Sequence, residues 1–215
     1  MDLFESIRRG ANEEVISAIA ADPKAAAARN ADGASLLMVA AYFGNSELVS
    51  ALRRALPRLD PYEAIILGDL EGVRAAIGEG WEPNTRSPDG FTPLALAVFF
   101  RHPEIFDLLL PLTHDVNDQA TNGQRVAALH AATAVGDRAA IERLLRNGAD
   151  PDRAQADGFR PIHVTAQHGD TVGTALLILF GADRGVRTGD GRTPADFARS
   201  GGHEWLARLL DERPA

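Results

Sequence analysis

Cysteine is absent from this 215-residue chain, which excludes disulfides, thiolate-bound zinc and thiol nucleophiles. Lysine is nearly absent too. Lys24 is the only one among 22 Lys and Arg, against 30 Asp and Glu, giving a net charge of −8 and a pI of about 5.2. Such a chain lacks the basic stripe that displaces phosphate counterions, so nucleic acid is not an expected partner. Its acidity suits a partner protein with a basic surface. Long apolar runs are missing as well. The longest, Leu94 to Phe100 and Ala175 to Phe180, are far too short to cross a bilayer. The start, Met1-Asp2-Leu3-Phe4-Glu5-Ser6, carries early acids and no apolar leader segment. A cytoplasmic protein without membrane contact is therefore expected, and the scarcity of lysine beside abundant alanine fits a GC-rich bacterial coding sequence. Neither a phosphate-cradling glycine loop nor a G-x-S-x-G elbow occurs. No cofactor and no metal are expected.

What the chain does contain is a repeated phrase. Asp157-Gly158 is a turn signal, Pro161 suits the first position of a helix, and Gly169 closes that helix. Asp170 is placed to cap a second helix. There Val172, Ala175, Leu176 and Leu179 fall at i, i+3, i+4 and i+7, which predicts one apolar face turned to neighbours. Gly181-Ala182-Asp183 ends the unit. Two helices this short cannot bury an apolar face alone. Copies on both sides supply the partners: Asp89-Gly90-Phe91-Thr92-Pro93-Leu94, Ala128-Leu129-His130-Ala131-Ala132 with Asn147-Gly148-Ala149-Asp150, and Asp190-Gly191-Arg192-Thr193-Pro194.

Seven units align if each is numbered by the slot that holds Thr in Thr-Pro. The slots fall at Met1, Ser35, Leu59, Thr92, Ala127, Arg160 and Thr193, each closed nine residues later by glycine except at Arg101. The pattern resembles the ankyrin repeat, a period of about 33 residues made of a β-turn and two helices. That resemblance implies an all-α repeat solenoid of stacked helix-turn-helix units with short β-turn fingers. Stability in such an array comes from neighbour interfaces, so a single domain over 1–215 is expected. Residues 1–30 read as an N-terminal cap, 31–188 as internal repeats and 189–215 as a C-terminal cap. The short step after Leu56 predicts a missing finger near 57–61.

The resemblance also implies a function. Proteins similar to this family bind partner proteins on the concave side, through the residue after Asp-Gly and the two residues before the closing glycine. Those slots hold Tyr42, Phe43, Ile66, Leu67, Phe91, Phe99, Phe100, Phe159, Gln167 and His168 among the candidate contacts. Aromatics are over-represented among binding hot spots, and an exposed apolar patch usually marks an interaction site. A monomeric, non-catalytic interaction module is expected, serving as an inhibitor, immunity protein or assembly factor. Two other classes stay open: a small-molecule or enzymatic groove around Phe99, His130 and His168, and an exported effector acting on host proteins. His130 and His163 are 33 residues apart. The family pattern implies that each bonds the neighbouring turn, which weighs against a metal site.

Overall fold

The computed structural model describes residues 2–212. The first slot, Met1, and the last residues of the expected C-terminal cap lie outside them. The described residues form fourteen α-helices and no strand, with a lone bridge between Arg29 and Ser35. They divide into two compact units, one of residues 2–82 and 86–89 and the other of residues 83–85 and 90–212. The first holds α1 (Leu3–Arg8), α2 (Asn12–Ala21), α3 (Leu36–Tyr42), α4 (Ser46–Ala55), α5 (Pro61–Leu67) and α6 (Leu70–Gly78). The second holds α7 (Pro93–Phe99), α8 (Pro103–Leu109), α9 (Ala128–Val135), α10 (Arg138–Arg146), α11 (Pro161–Gln167), α12 (Thr171–Leu179), α13 (Pro194–Ser200) and α14 (Glu204–Asp211). Consecutive helices pair as hairpins. In the second unit α7, α9, α11 and α13 pack in a row, and α10 packs on α12 in an outer layer.

Side chains at the helix starts satisfy amides that have no intrahelical partner. Ser35 accepts from Met38 N–H at 3.2 Å and Thr92 from Ala95 N–H at 3.2 Å. Each such cap contributes about 1 kcal/mol. In the third repeat the cap is Asp60, one residue beyond the slot expected at Leu59. Its carboxylate accepts from Glu63 N–H at 2.8 Å, and Glu63 returns the bond to Asp60 N–H at 2.9 Å. Leucine has no oxygen with which to compete for that place. Asp2 likewise caps α1, accepting from Phe4 N–H at 2.9 Å.

The helix that follows Asp170 corrects a second expectation. α12 buries Gly173, Thr174 and Leu177, whereas Val172, Ala175 and Leu179 are exposed and Leu176 is half-buried. Its position follows from the stack. The three buried residues stand 33 after Ala140, Ile141 and Leu144, which α10 buries in the same places. Asp170 fixes this rotation by accepting from Gly173 N–H at 3.0 Å and from Arg138 Nε at 2.8 Å.

The turn between paired helices requires a left-handed residue. Gly136 and Gly169 supply it with φ of 68° and 65°, and Arg101 takes the same conformation at 61°. The fourth repeat thus keeps the turn without its glycine, at a cost of about 1–2 kcal/mol.

Two sets of bonds tie successive repeats in the second unit. At the turn tips, Thr121 N–H donates to Gly90 O at 3.0 Å, Ala156 N–H to Gln124 O at 3.0 Å, and Gly189 N–H to Asp157 O at 2.6 Å. The backbones approach so closely at Gly90 that a Cβ there would lie 2.7 Å from Thr121 Oγ1 and 3.0 Å from Asn122 N. Below the helix ends, Asn84 donates to Leu112 O at 2.9 Å and accepts from His114 N–H at 2.9 Å. Asn117 does the same with Gly148 O at 3.0 Å and Asp150 N–H at 2.7 Å. Asp152 then accepts from Asp183 N–H at 3.0 Å. In the first unit, α4 ends at Ala55 and Asp60 already caps α5. There a Cβ at Gly33 would come within 3.2 Å of Pro88, so the turns on either side of the short connection meet.

Candidate functional site

In the first unit, Tyr42 ends α3 and is half-buried, while Phe43 beside it is 59% exposed. Burial, and after it the Asp89 charge, holds the Tyr42 phenol well above its ordinary range. Ile66 is only 4% exposed, and Leu67 is half-buried. The side chain of Ile66 belongs to the packed layer.

In the second unit, Phe91 stands half-buried just before the Thr92 cap. Phe99 is 44% exposed at the end of α7. The half-buried Phe100 meets it edge-on, with centroids 5.2 Å apart. Phe159 packs inward, against Phe197 at 5.2 Å and His163 at 5.9 Å. Gln167 and His168 are exposed at the end of α11. Because α7, α9 and α11 lie side by side, their ends bring Phe99, Phe100, Ala134, Val135, Gln167 and His168 into one strip. The Arg101 guanidinium donates to Val135 O and so links two repeats along it. Arg101 was not among the candidates, yet the missing glycine at that place was its signal. The strip holds apolar side chains together with Gln167, His168 and the Arg101 guanidinium, a composition suited to contact.

The two related histidines are structural. His130 Nδ1 accepts from the Ala127 N–H at 3.1 Å, and Nε2 therefore carries the proton it donates to Arg153 O at 2.8 Å. His163 repeats this with Arg160 N–H at 3.0 Å and Val186 O at 3.4 Å. Each ring joins the start of its own helix to the following repeat. Burial pushes the His130 pKa down to about 4, and burial likewise lowers that of His163. With both nitrogens engaged, His130 has none to offer a groove near Phe99 and His168.

The first unit also carries an open cleft of about 680 Å³ between the end of α4 and α6, walled by Arg53, Leu56, Ala76 and Trp81. The ion pair of Arg58 and Glu79 belongs to its lining. Among the described residues no helix is long and apolar enough to cross a membrane.

Comparison with known proteins places this architecture. The family model described as ankyrin repeats (3 copies) matches residues 62–155 and 129–214. Mouse ARF GTPase-activating protein GIT2 is 36% identical over 104 residues, which is 48% of this chain and 14% of the relative. Human ARF GTPase-activating protein GIT1 is 40% identical over 85 residues, 39% of this chain and 11% of the relative. Human transient receptor potential cation channel subfamily A member 1 is 29% identical over 161 residues, 69% of this chain and 14% of the relative. The chain thus spans no more than 14% of the length of these relatives.

Proposed function

The chain belongs to the ankyrin repeat family, whose repeats generally serve as protein-interaction modules, and from that premise we propose that it is non-catalytic and binds a partner protein through the ends of its inner helices. In this family those ends line the concave side. The observation that carries the proposal is the strip at the ends of α7, α9 and α11, where Phe99 stands 44% exposed at one side and Gln167 and His168 are exposed at the other. Phe43, in the register of Phe100 and His168, offers an exposed aromatic in the first unit. An exposed phenylalanine gains from being covered, and large rings anchor interfaces at small cost in side-chain entropy. The net charge of −8 favours a partner whose facing surface is basic. A cytoplasmic inhibitor, immunity protein or assembly factor would use such a face.

The test compares the wild type with a Phe43→Ser, Phe99→Ser, His168→Ala variant as bait in the native lysate, read by mass spectrometry. These three side chains are exposed or partly so, and their removal should leave the helical CD and melting temperature unchanged. Tyr42 and Phe159 are poorer choices, because both are half-buried and Phe159 is packed against Phe197. A protein captured by the wild type and reduced at least about 30-fold by the variant is the expected result, equivalent to one hot spot of about 2 kcal/mol. Equal capture by both baits, or capture of nothing by the wild type, would overturn the proposal.

A further inference from the structure

Two places in a full repeat ask for a residue with positive φ: the turn that closes the inner helix and the tip of the finger. The closing turns hold glycine with φ of 65° to 80° in every repeat but one. The tips hold glycine with φ of 73° to 88° in every finger but one. Both exceptions are arginine. Arg101 closes α7 with φ of 61°, and Arg125, 33 residues before the tip glycine Gly158, has φ of 55°. A Cβ in this conformation strains the backbone, and strain of this kind concentrates where function uses it. Asp157, the third non-glycine residue with positive φ, is of a type that visits the region more readily. The two arginines stand at opposite ends of one helix. Arg125 precedes the first residue of α9 by three, and the Arg101 guanidinium donates to Val135 O at its last. The eight residues of α9 set these ends about 12 Å apart.

Neither charge is neutralised within the chain. Arg101 bonds a carbonyl, which leaves its charge whole. Arg125 is exposed, and among the described residues its hydrogen bonds are those of its backbone alone, with Asn122 O and Gln119 Nε2. The carboxylates nearest along the chain to these places, Glu104, Asp118, Asp137 and Asp157, pair with neither; Asp137 is turned to the Ala140 N–H at the start of α10. The inner helices α7, α9 and α11 carry no carboxylate at all. In the outer layer the rule is the opposite, since Arg138, Arg143 and Arg146 are ion-paired with Asp170, Asp107 and Glu142. From this we infer that the partner lays an acidic extended segment across α9, with two carboxylates about four residues apart, one for each guanidinium. Four residues of extended chain span about 13 Å, which matches the helix between the arginines. A guanidinium takes a carboxylate through two parallel bonds, a fit that a lysine would not provide. Between the two anchors the floor is small, with Ala134 the exposed residue of α9, so a peptide backbone can approach it. The inference rests on the binding face proposed above. At this place it reverses the basic surface that the net charge of −8 favours, because contact is governed by charges within a Debye length rather than by the total.

A phage-displayed library of random dodecapeptides, selected on the whole chain, tests the inference. The baits are the wild type, the Arg101→Gly, Arg125→Gly variant and Phe99→Ser. Glycine relieves the strain at both places, so the double variant should melt at or above the wild type, and lost binding cannot then be lost folding. Peptides selected by the wild type should be enriched in pairs of Asp or Glu four residues apart. By fluorescence anisotropy the best of them should bind the double variant at least tenfold more weakly, and Glu→Gln or Asp→Asn changes within the peptide should cost as much. Selected peptides that need Phe99 but carry no acidic pair, or that bind the double variant as well as the wild type, overturn the inference and leave the binding face standing. A double variant that melts below the wild type overturns it too, by showing that the arginines serve the fold. If no peptide is enriched over the Phe99→Ser bait, the acidic segment is refuted, and the lysate capture described above decides the face by itself.

Discussion

Lowering the pH from 8 to 5 should cost this protein about 2 kcal/mol of stability through His130 alone. The imidazole is 3% exposed, and both nitrogens are committed, Nδ1 as acceptor and Nε2 as donor. A second proton on Nδ1 would point at the Ala127 N–H that now donates to it. Burial depresses the pKa from 6.5 to about 4, against the bond to Arg153 O, which by itself favours the charged ring. The sign follows directly. Between those values the unfolded chain takes up a proton that the folded chain refuses, so His130 contributes fully above about pH 6.5. Its contribution is lost as the pH falls, by about 2 kcal/mol at pH 5 and about 3 kcal/mol well below pH 4. Urea unfolding followed by CD at pH 8 and pH 5, on the wild type and His130→Gln, measures the difference. His163 is shifted in the same direction, is present in both proteins and cancels. The wild type should lose about 2 kcal/mol more than the variant, and the His130 ring should titrate near pH 4 by NMR. An equal loss in both proteins, or a ring that titrates at its ordinary value, would refute the linkage.

Two further changes test the links between repeats. Arg101→Gly should raise stability by about 1 kcal/mol in a thermal melt, because glycine adopts φ of 61° freely and only one exposed bond, to Val135 O, is surrendered. Asn117→Ala removes one acceptor and one donor that clasp the next repeat. It should cost about 1–2 kcal/mol, with faster amide exchange at Asp150 than at amides remote from the change.

Most of the architecture was legible in the sequence, since Asp-Gly, Thr-Pro and the closing glycine each fix a backbone shape, and those shapes recur every 33 residues. The rotation of α12 was misjudged because the helix is apolar almost throughout, so its periodicity alone selects no face. The selecting signal lay outside the helix, in the offset that aligns Gly173, Thr174 and Leu177 with Ala140, Ile141 and Leu144. The third cap shifted from Leu59 to Asp60 because hydrogen-bonding capacity, rather than even spacing, decides where a helix begins. Asn84, Asn117 and Asp152 went unnoticed for another reason. Each looks like an ordinary loop residue until the fold brings a partner some thirty residues away alongside it. For the candidate site, sequence located the helix ends but not the exposure of each side chain. Phe43, Phe99, Gln167 and His168 face outward, while Ile66 and Phe159 serve the packing.

The clasp formed by Asn84, Asn117 and Asp152 also limits how such a chain can be edited. Each side chain reaches an amide or carbonyl 28 to 33 residues ahead. An insertion of a few residues between any two of them would leave the donor facing the wrong atom. Adding or deleting one whole period would return every donor to an equivalent acceptor. In genetic terms this part of the chain should tolerate unequal crossover in steps of one repeat and resist shorter insertions between clasp positions, so its length can evolve in quanta of about 33 residues.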